Sequence, residues 1–174
     1  ATANAGAVTF GSGNTGISGV VSPANSLVGN SASDQVGDYG VIALSNGNYV
    51  VRSPGWDNGA TTDAGAVTFG SGNTGISGGI SPANSLVGGS ASDHVGDYSL
   101  TVLSNGNYVV GSRLWDNGTT TEAGAVTFGS GSTGISGVVS PANSLVGSSE
   151  GDQVGDGVTA LSNGNYVVSS PNWD

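Results

Sequence analysis

Short apolar, β-branched runs alternate along this chain with clusters of Gly, Asn, Ser and Pro, a pattern of strands and turns rather than helices. Four runs predict strands: GVIAL at 40–44, NYVVRS at 48–53, GAVTFGS at 65–71, and a segment around 84–87 within ISGGISPANSLVG. The first two are joined by Ser-Asn-Gly-Asn. Asn-Gly between apolar runs predicts a two-residue hairpin of type I′, since both central residues then need positive φ, which Gly adopts freely and Asn tolerates. The runs VIAL and YVV are continuous rather than alternating, as expected for strands covered on both faces.

The whole pattern recurs. AGAVTFGSG begins at Ala5, Ala64 and Ala123, and SPANSLVG at Ser22, Ser81 and Ser140, each spaced by 59 residues, while LSNGNYVV stands unchanged at 44–51, 103–110 and 161–168. The chain is therefore expected to be one domain (1–174) of three repeats, about 1–59, 60–118 and 119–174, with the terminal unit split between the two ends. A four-stranded antiparallel meander covered on both faces and repeated in tandem predicts an all-β fold, a β-propeller with one blade per repeat. The competing all-β reading is a parallel β-solenoid of three coils per unit, each of about 20 residues. The Asn-Gly hairpin argues against it, because a solenoid coil does not reverse by a two-residue turn.

Composition narrows the function. Twelve acidic residues face two basic ones, Arg52 and Arg113, for a formal net charge of −10. Nucleic acid, which is held by Lys and Arg on its phosphates, is excluded as a partner. No apolar run reaches the length needed to cross a bilayer and no basic amphipathic segment is present, so a soluble chain without membrane insertion is expected. The absence of cysteine excludes thiol redox chemistry. A start at Ala1 is what a processed or excised piece would show.

In a propeller the loop after the second strand and the loop between blades open on one face. The first carries Trp56, Asp57 and Asn58, repeated as Trp115, Asp116 and Asn117 and as Trp173 and Asp174. An indole face stacks on the apolar side of a sugar while carboxylate and amide bind its hydroxyls, which makes these the candidate ligand-binding residues. The alternative is that Trp packs between blades and Asp-Asn-Gly is a turn. The second loop carries Asp34 and Asp38, Asp93 and Asp97, and Asp152 and Asp156, suited either to calcium or, as Asx-turn acceptors, to backbone N–H groups. His94, which stands where the other repeats have Gln35 and Gln153, and the two arginines are expected to be solvated surface variants. Without a repeated histidine no base activates a serine, and GSGNTG lacks the lysine and helix of a phosphate loop. No catalytic residue, metal or cofactor is expected.

GDYGVIALSNGNYVVRSPGWDNGATTDAGAVTFGSG resembles a blade of the FG-GAP type, the repeat of integrin α-chain propellers and of many bacterial secreted proteins. LSNGNYVVSSPNWD is similar to an uncharacterised repeat of large secreted bacterial proteins. The resemblance implies a propeller, a secreted or cell-surface location and an adhesive role. FG-GAP blades often hold calcium in an Asp-x-Asn-x-Asp-Gly loop between their first two strands. Here that loop is SNGN, without a carboxylate, so the metal role is not carried over. The aromatic of the family's Phe-Gly pair is replaced by Val36, Val95 and Val154. Three blades do not close a ring; a homodimer of six blades is the expected completion, with a nine-bladed trimer the rarer geometry. The expectations are thus a non-catalytic structural or adhesive scaffold that pairs with itself and binds a glycan or cationic protein, or alternatively a lectin-like propeller using the Trp-Asp-Asn loops.

Overall fold

A computed structural model describes residues 2–174. Among these residues every regular element is a strand. β1 (Ala7–Thr9) and β2 (Ser26–Val28) lie antiparallel, with Val8 opposite Leu27. β3 (Val41–Ala43), β4 (Tyr49–Ser53), β5 (Ala66–Gly70) and β7 (Ser85–Val87) form a meander in which each strand runs antiparallel to the one before. β8 (Ser99–Val102), β9 (Tyr108–Ser112), β10 (Ala125–Gly129) and β12 (Ser144–Val146) repeat that meander, and β13 (Gly157–Ala160) with β14 (Tyr166–Ser169) repeats its first hairpin. The four predicted runs are all strands, in the predicted order.

Two short strands were not foreseen. β6 (Gly78–Gly79) and β11 (Gly137–Val138) leave their own meander and pair in parallel with the outer strand of the preceding repeat, β6 on β2 and β11 on β7. They act as arms that lash one sheet to the next. Ile80 and Val139 extend each arm by donating their N–H to the carbonyls of Val28 (3.3 Å) and Val87 (3.0 Å). The chain thus forms four sheets, β1-β2-β6, β11-β7-β5-β4-β3, β12-β10-β9-β8 and β13-β14, none closed into a barrel. Parallel pairing between named strands is confined to the two arms, so the solenoid alternative is set aside.

The hairpin differs from expectation in its turn. Leu44 N–H donates to the Asn48 carbonyl at 2.8 Å, and Gly47 N–H to the Leu44 carbonyl at 3.1 Å. Three residues, Ser45, Asn46 and Gly47, therefore form the loop, and Gly47 (φ 88°) alone among them has positive φ. This is a type I turn closed by a glycine bulge, not the two-residue type I′ turn. Asn46 keeps negative φ, and its side chain braces the turn from within, Oδ1 accepting the Asn48 N–H at 3.1 Å.

Adjacent residues of a strand point to opposite faces, and here both faces are covered. On β4, Val51 packs with Leu27, Val36 and Trp56 towards the first sheet, while Val50 packs with Tyr108, Val110 and Trp115 towards the third. Both valines are fully buried. On β9, Val109 in turn joins Val126, Val154 and Val168 against the fourth sheet. The sheets stack face to face, which is why YVV is an unbroken apolar run. Each such valine contributes about 1.5–3 kcal/mol by leaving water.

Candidate functional site

The two loop types singled out in the sequence lie against each other, joined by a buried carboxylate. Asp34 Oδ2 accepts the N–H groups of Asn30 (2.6 Å) and Ser31 (2.8 Å), closing its own loop, and its Oδ1 accepts the N–H of Asp57 at 3.1 Å. Asp93 does the same with Gly89 and Ser90 (2.8 Å each) and Asp116 (2.9 Å). Asp152 does so with Ser148, Ser149 and Asp174. One carboxylate per repeat thus pins the Trp-Asp loop to the acidic loop.

Burial pushes the Asp93 carboxyl above the ordinary 3.8, outweighing the N–H groups of Ser90, Asp116 and Gly89. Asp152 lies in the last repeat, where the Ser149 N–H leads in holding its carboxyl below that value.

The candidate ligand residues are engaged within the fold. Trp56 is 2 % exposed and Trp115 4 %, each set between successive sheets, so neither indole face is open to a sugar. Trp173, at 64 %, is exposed. Asp57 Oδ1 accepts the Asp63 N–H at 2.9 Å, and Asp116 Oδ1 the Glu122 N–H at 2.8 Å. The Asn58 amide donates to the Gly88 carbonyl at 3.1 Å and that of Asn117 to Gly147 at 3.0 Å. Asp174 is exposed, its backbone N–H bound to Asp152. Among the described residues no group of three or more His, Cys, Asp or Glu is placed to hold a metal ion.

Three expectations about charged residues need correction. Arg52 is not a solvated variant: its Nε donates to the Gly96 carbonyl and its Nη2 to the Asp97 carbonyl, both at 2.6 Å, across a repeat boundary. Its guanidinium also lies 5.5 Å from the Tyr39 ring centre. Arg113 is likewise drawn inward, 4.7 Å from the Tyr98 ring centre. His94 sits at the same boundary, its Nδ1 3.2 Å from the Pro54 carbonyl, an acceptor that requires the proton on Nδ1. Arg52 and His94 thus meet carbonyls of a neighbouring repeat, whereas the Nε of Arg113 is buried without a hydrogen-bond partner among the described residues. Around them burial raises the Asp97 carboxyl despite the nearby charges of His94, Arg113 and Arg52, and the neighbouring Asp156 carboxylate raises the Tyr98 hydroxyl.

Sequence reading missed the functional weight of the SNGN amides. The Asn46 and Asn48 amides both donate to the Gly131 carbonyl at 2.7 Å, in the following sheet. Asn48 Oδ1 accepts the Gly72 N–H, and Asn107 Oδ1 the Gly131 N–H, at 2.9 Å each. Gly72 and Gly131 must be glycine, since a Cβ there would run into the carbonyl of Gly47 or Gly106. The only available signal was the constancy of LSNGNYVV together with GSG.

Fold and loops together define a tandem-repeat all-β protein whose repeated polar residues bind neighbouring backbone. A family model described as a repeat of unknown function (DUF5650) matches residues 1–38, 43–97, 102–156 and 160–174, and the chain belongs to that family. The two internal matches begin 59 residues apart, at 43 and 102, the period of the repeats. No curated protein matches the chain.

Proposed function

We propose that the chain is a non-catalytic structural and adhesive binding scaffold, a propeller-type module of FG-GAP-like blades from a secreted or surface protein. Two copies close a six-bladed ring. The observation that carries this reading is the inward engagement of the repeated polar residues. Asp34 and Asp93 bind backbone of their own repeat, Asn58 and Asn117 that of the next, and Asn46 and Asn48 that of the third repeat, so that a motif suited to ligand builds the stack instead. The meanders covered on both faces support the blade reading. A net charge of −10 suits a cationic protein partner.

Light scattering tests the ring: twice the chain mass of 16.7 kDa is expected, and a 16.7 kDa particle at every concentration sinks it. The lectin-like reading needs an open indole, and only Trp173 of the three tryptophans offers one. Glycan-array binding that disappears in Trp173→Ala would revive that reading.

A further inference from the structure

We propose that Asn58 and Asn117 are sites of spontaneous deamidation, a covalent modification that needs only water and that the fold directs to these two asparagines while sparing Asn46 and Asn105. All four precede glycine, in the pairs Asn46-Gly47, Asn58-Gly59, Asn105-Gly106 and Asn117-Gly118. Glycine has no side chain to shield its own backbone nitrogen, the atom that attacks. The dipeptide is the same each time, and the turn around it differs.

In the loop after β4, the Asn58 N–H donates to the Thr61 carbonyl at 2.9 Å and the Thr61 N–H to the Asn58 carbonyl at 3.1 Å. Asn58 is thus the first residue of a four-residue turn and Gly59 (φ 65°) the second, whose N–H such a turn leaves unpaired. Asn117 and Thr120 close the same turn at 2.9 and 3.1 Å around Gly118, also at 65°. Among the described residues neither glycine N–H and neither asparagine Oδ1 has a hydrogen-bond partner.

In the hairpins the pair stands two places further along the turn. Gly47 is the last residue, and its N–H closes the turn on the Leu44 carbonyl, as that of Gly106 does on Leu103 at 3.0 Å. Asn46 Oδ1 is held by the Asn48 N–H and Asn105 Oδ1 by the Asn107 N–H, at 3.1 Å each. Attacking nitrogen and attacked carboxamide are both tied. Exposure runs the other way, since Asn46 and Asn105 are exposed and Asn58 and Asn117 half-buried, so bonding rather than access makes the selection.

The Gly59 nitrogen, its proton passed to hydroxide, bonds to the Asn58 Cγ; the Cγ–Nδ2 bond breaks, and the nitrogen leaves as ammonia with a proton from water. Water then opens the five-membered imide. Cleavage of its Cγ–N bond leaves aspartate, and cleavage of its other C–N bond leaves isoaspartate, with the backbone running through Cγ. No oxidation state changes. Both products lack the amide that donates to the Gly88 carbonyl at 3.1 Å, or in the next repeat to Gly147 at 3.0 Å. The tie between the Trp-Asp loop and the end of the outer strand is lost.

The test incubates the full, folded chain in mildly alkaline buffer and assigns the amide-to-acid mass gain to each Asn-Gly pair by peptide mass spectrometry, beside the same chain in urea. Two bonded groups must be freed before a hairpin reacts, so Asn58 and Asn117 are expected to deamidate roughly tenfold faster than Asn46 and Asn105 in the fold, and at similar rates in urea. Asn46 or Asn105 reacting as fast as the loop pair in the folded chain overturns the proposal. So does the same order persisting in urea, which would place its cause in the neighbouring sequence and not in the turn. Asn58→Asp, which carries the normally linked product, should lower the urea midpoint, and a midpoint equal to the parent's overturns the loosening of the loop.

Discussion

The Asn46 side chain donates its amide to the carbonyl of Gly131, 2.7 Å away in space and 85 residues along the chain. Asn48 donates to the same oxygen, so one carbonyl of the third sheet is held by two amides of the second. The unvarying octapeptide is at once a hairpin and a latch.

Removing the latch should loosen the stack without unfolding a strand. Asn46→Ala is expected to cost about 1 kcal/mol, the net worth of one such bond. Asn48→Asp keeps the acceptor for Gly72 but loses the donor to Gly131, and should cost about as much. Urea denaturation midpoints check both; a variant indistinguishable from the parent would show that the latch carries no stability.

Asp93→Ala should be more damaging, because it strips three backbone N–H groups of a buried acceptor. A loss of about 3 kcal/mol or more is expected from orphaned buried donors. Asn in its place should recover part of it. Thermal unfolding of the two variants side by side gives the comparison, and an Ala variant as stable as the parent would refute the pinning role.

Trp115→Ala opens a cavity between the second and third sheets and is expected to cost about 3–5 kcal/mol. An indole serving only as a binding platform would leave stability untouched when removed, so equilibrium denaturation separates the two roles.

Ser92 holds φ at 63°, in the left-handed region, where the third repeat has Gly151 at 77°. Ser92→Gly should relieve strain and stabilise by about 0.5–1 kcal/mol. A lower melting temperature would mean that the serine side chain supports the loop in some other way.

Acid should help before it harms. Burial holds the carboxyls of Asp93 and Asp97 above the ordinary 3.8. A carboxyl raised in the fold binds its proton more tightly there than in the unfolded chain. Its folded state therefore gains as pH falls through the raised values towards 3.8, and loses that gain as pH rises above them. Asp152, held below 3.8, opposes this only at more acid pH. The melting temperature is expected to rise as pH falls from neutrality towards 3.8, and a fall over that interval would contradict it. The Tyr108 hydroxyl, which burial pushes up to about 12, should not ionise in a spectrophotometric titration of the folded chain below that pH.

The strands and their order were legible because each rests on local physics: β-branched runs, Gly and Asn at the turns, and apolar residues at every position where both faces are covered. The repeat period of 59 residues was equally local, a matter of comparing the chain with itself. The sequence by itself therefore determined an all-β tandem repeat built of antiparallel meanders. Only the tertiary structure decided which sheet lies against which. That decision turned Trp56 and Trp115 into packing, Arg52 into a clamp on Gly96 and Asp97, and Gly78 and Gly79, two residues without strand propensity, into an arm on β2. The physical reason is that a side chain's own chemistry sets what it can bind, while the partner it finds depends on backbone groups brought near from dozens of residues away, and no local pattern encodes that distance.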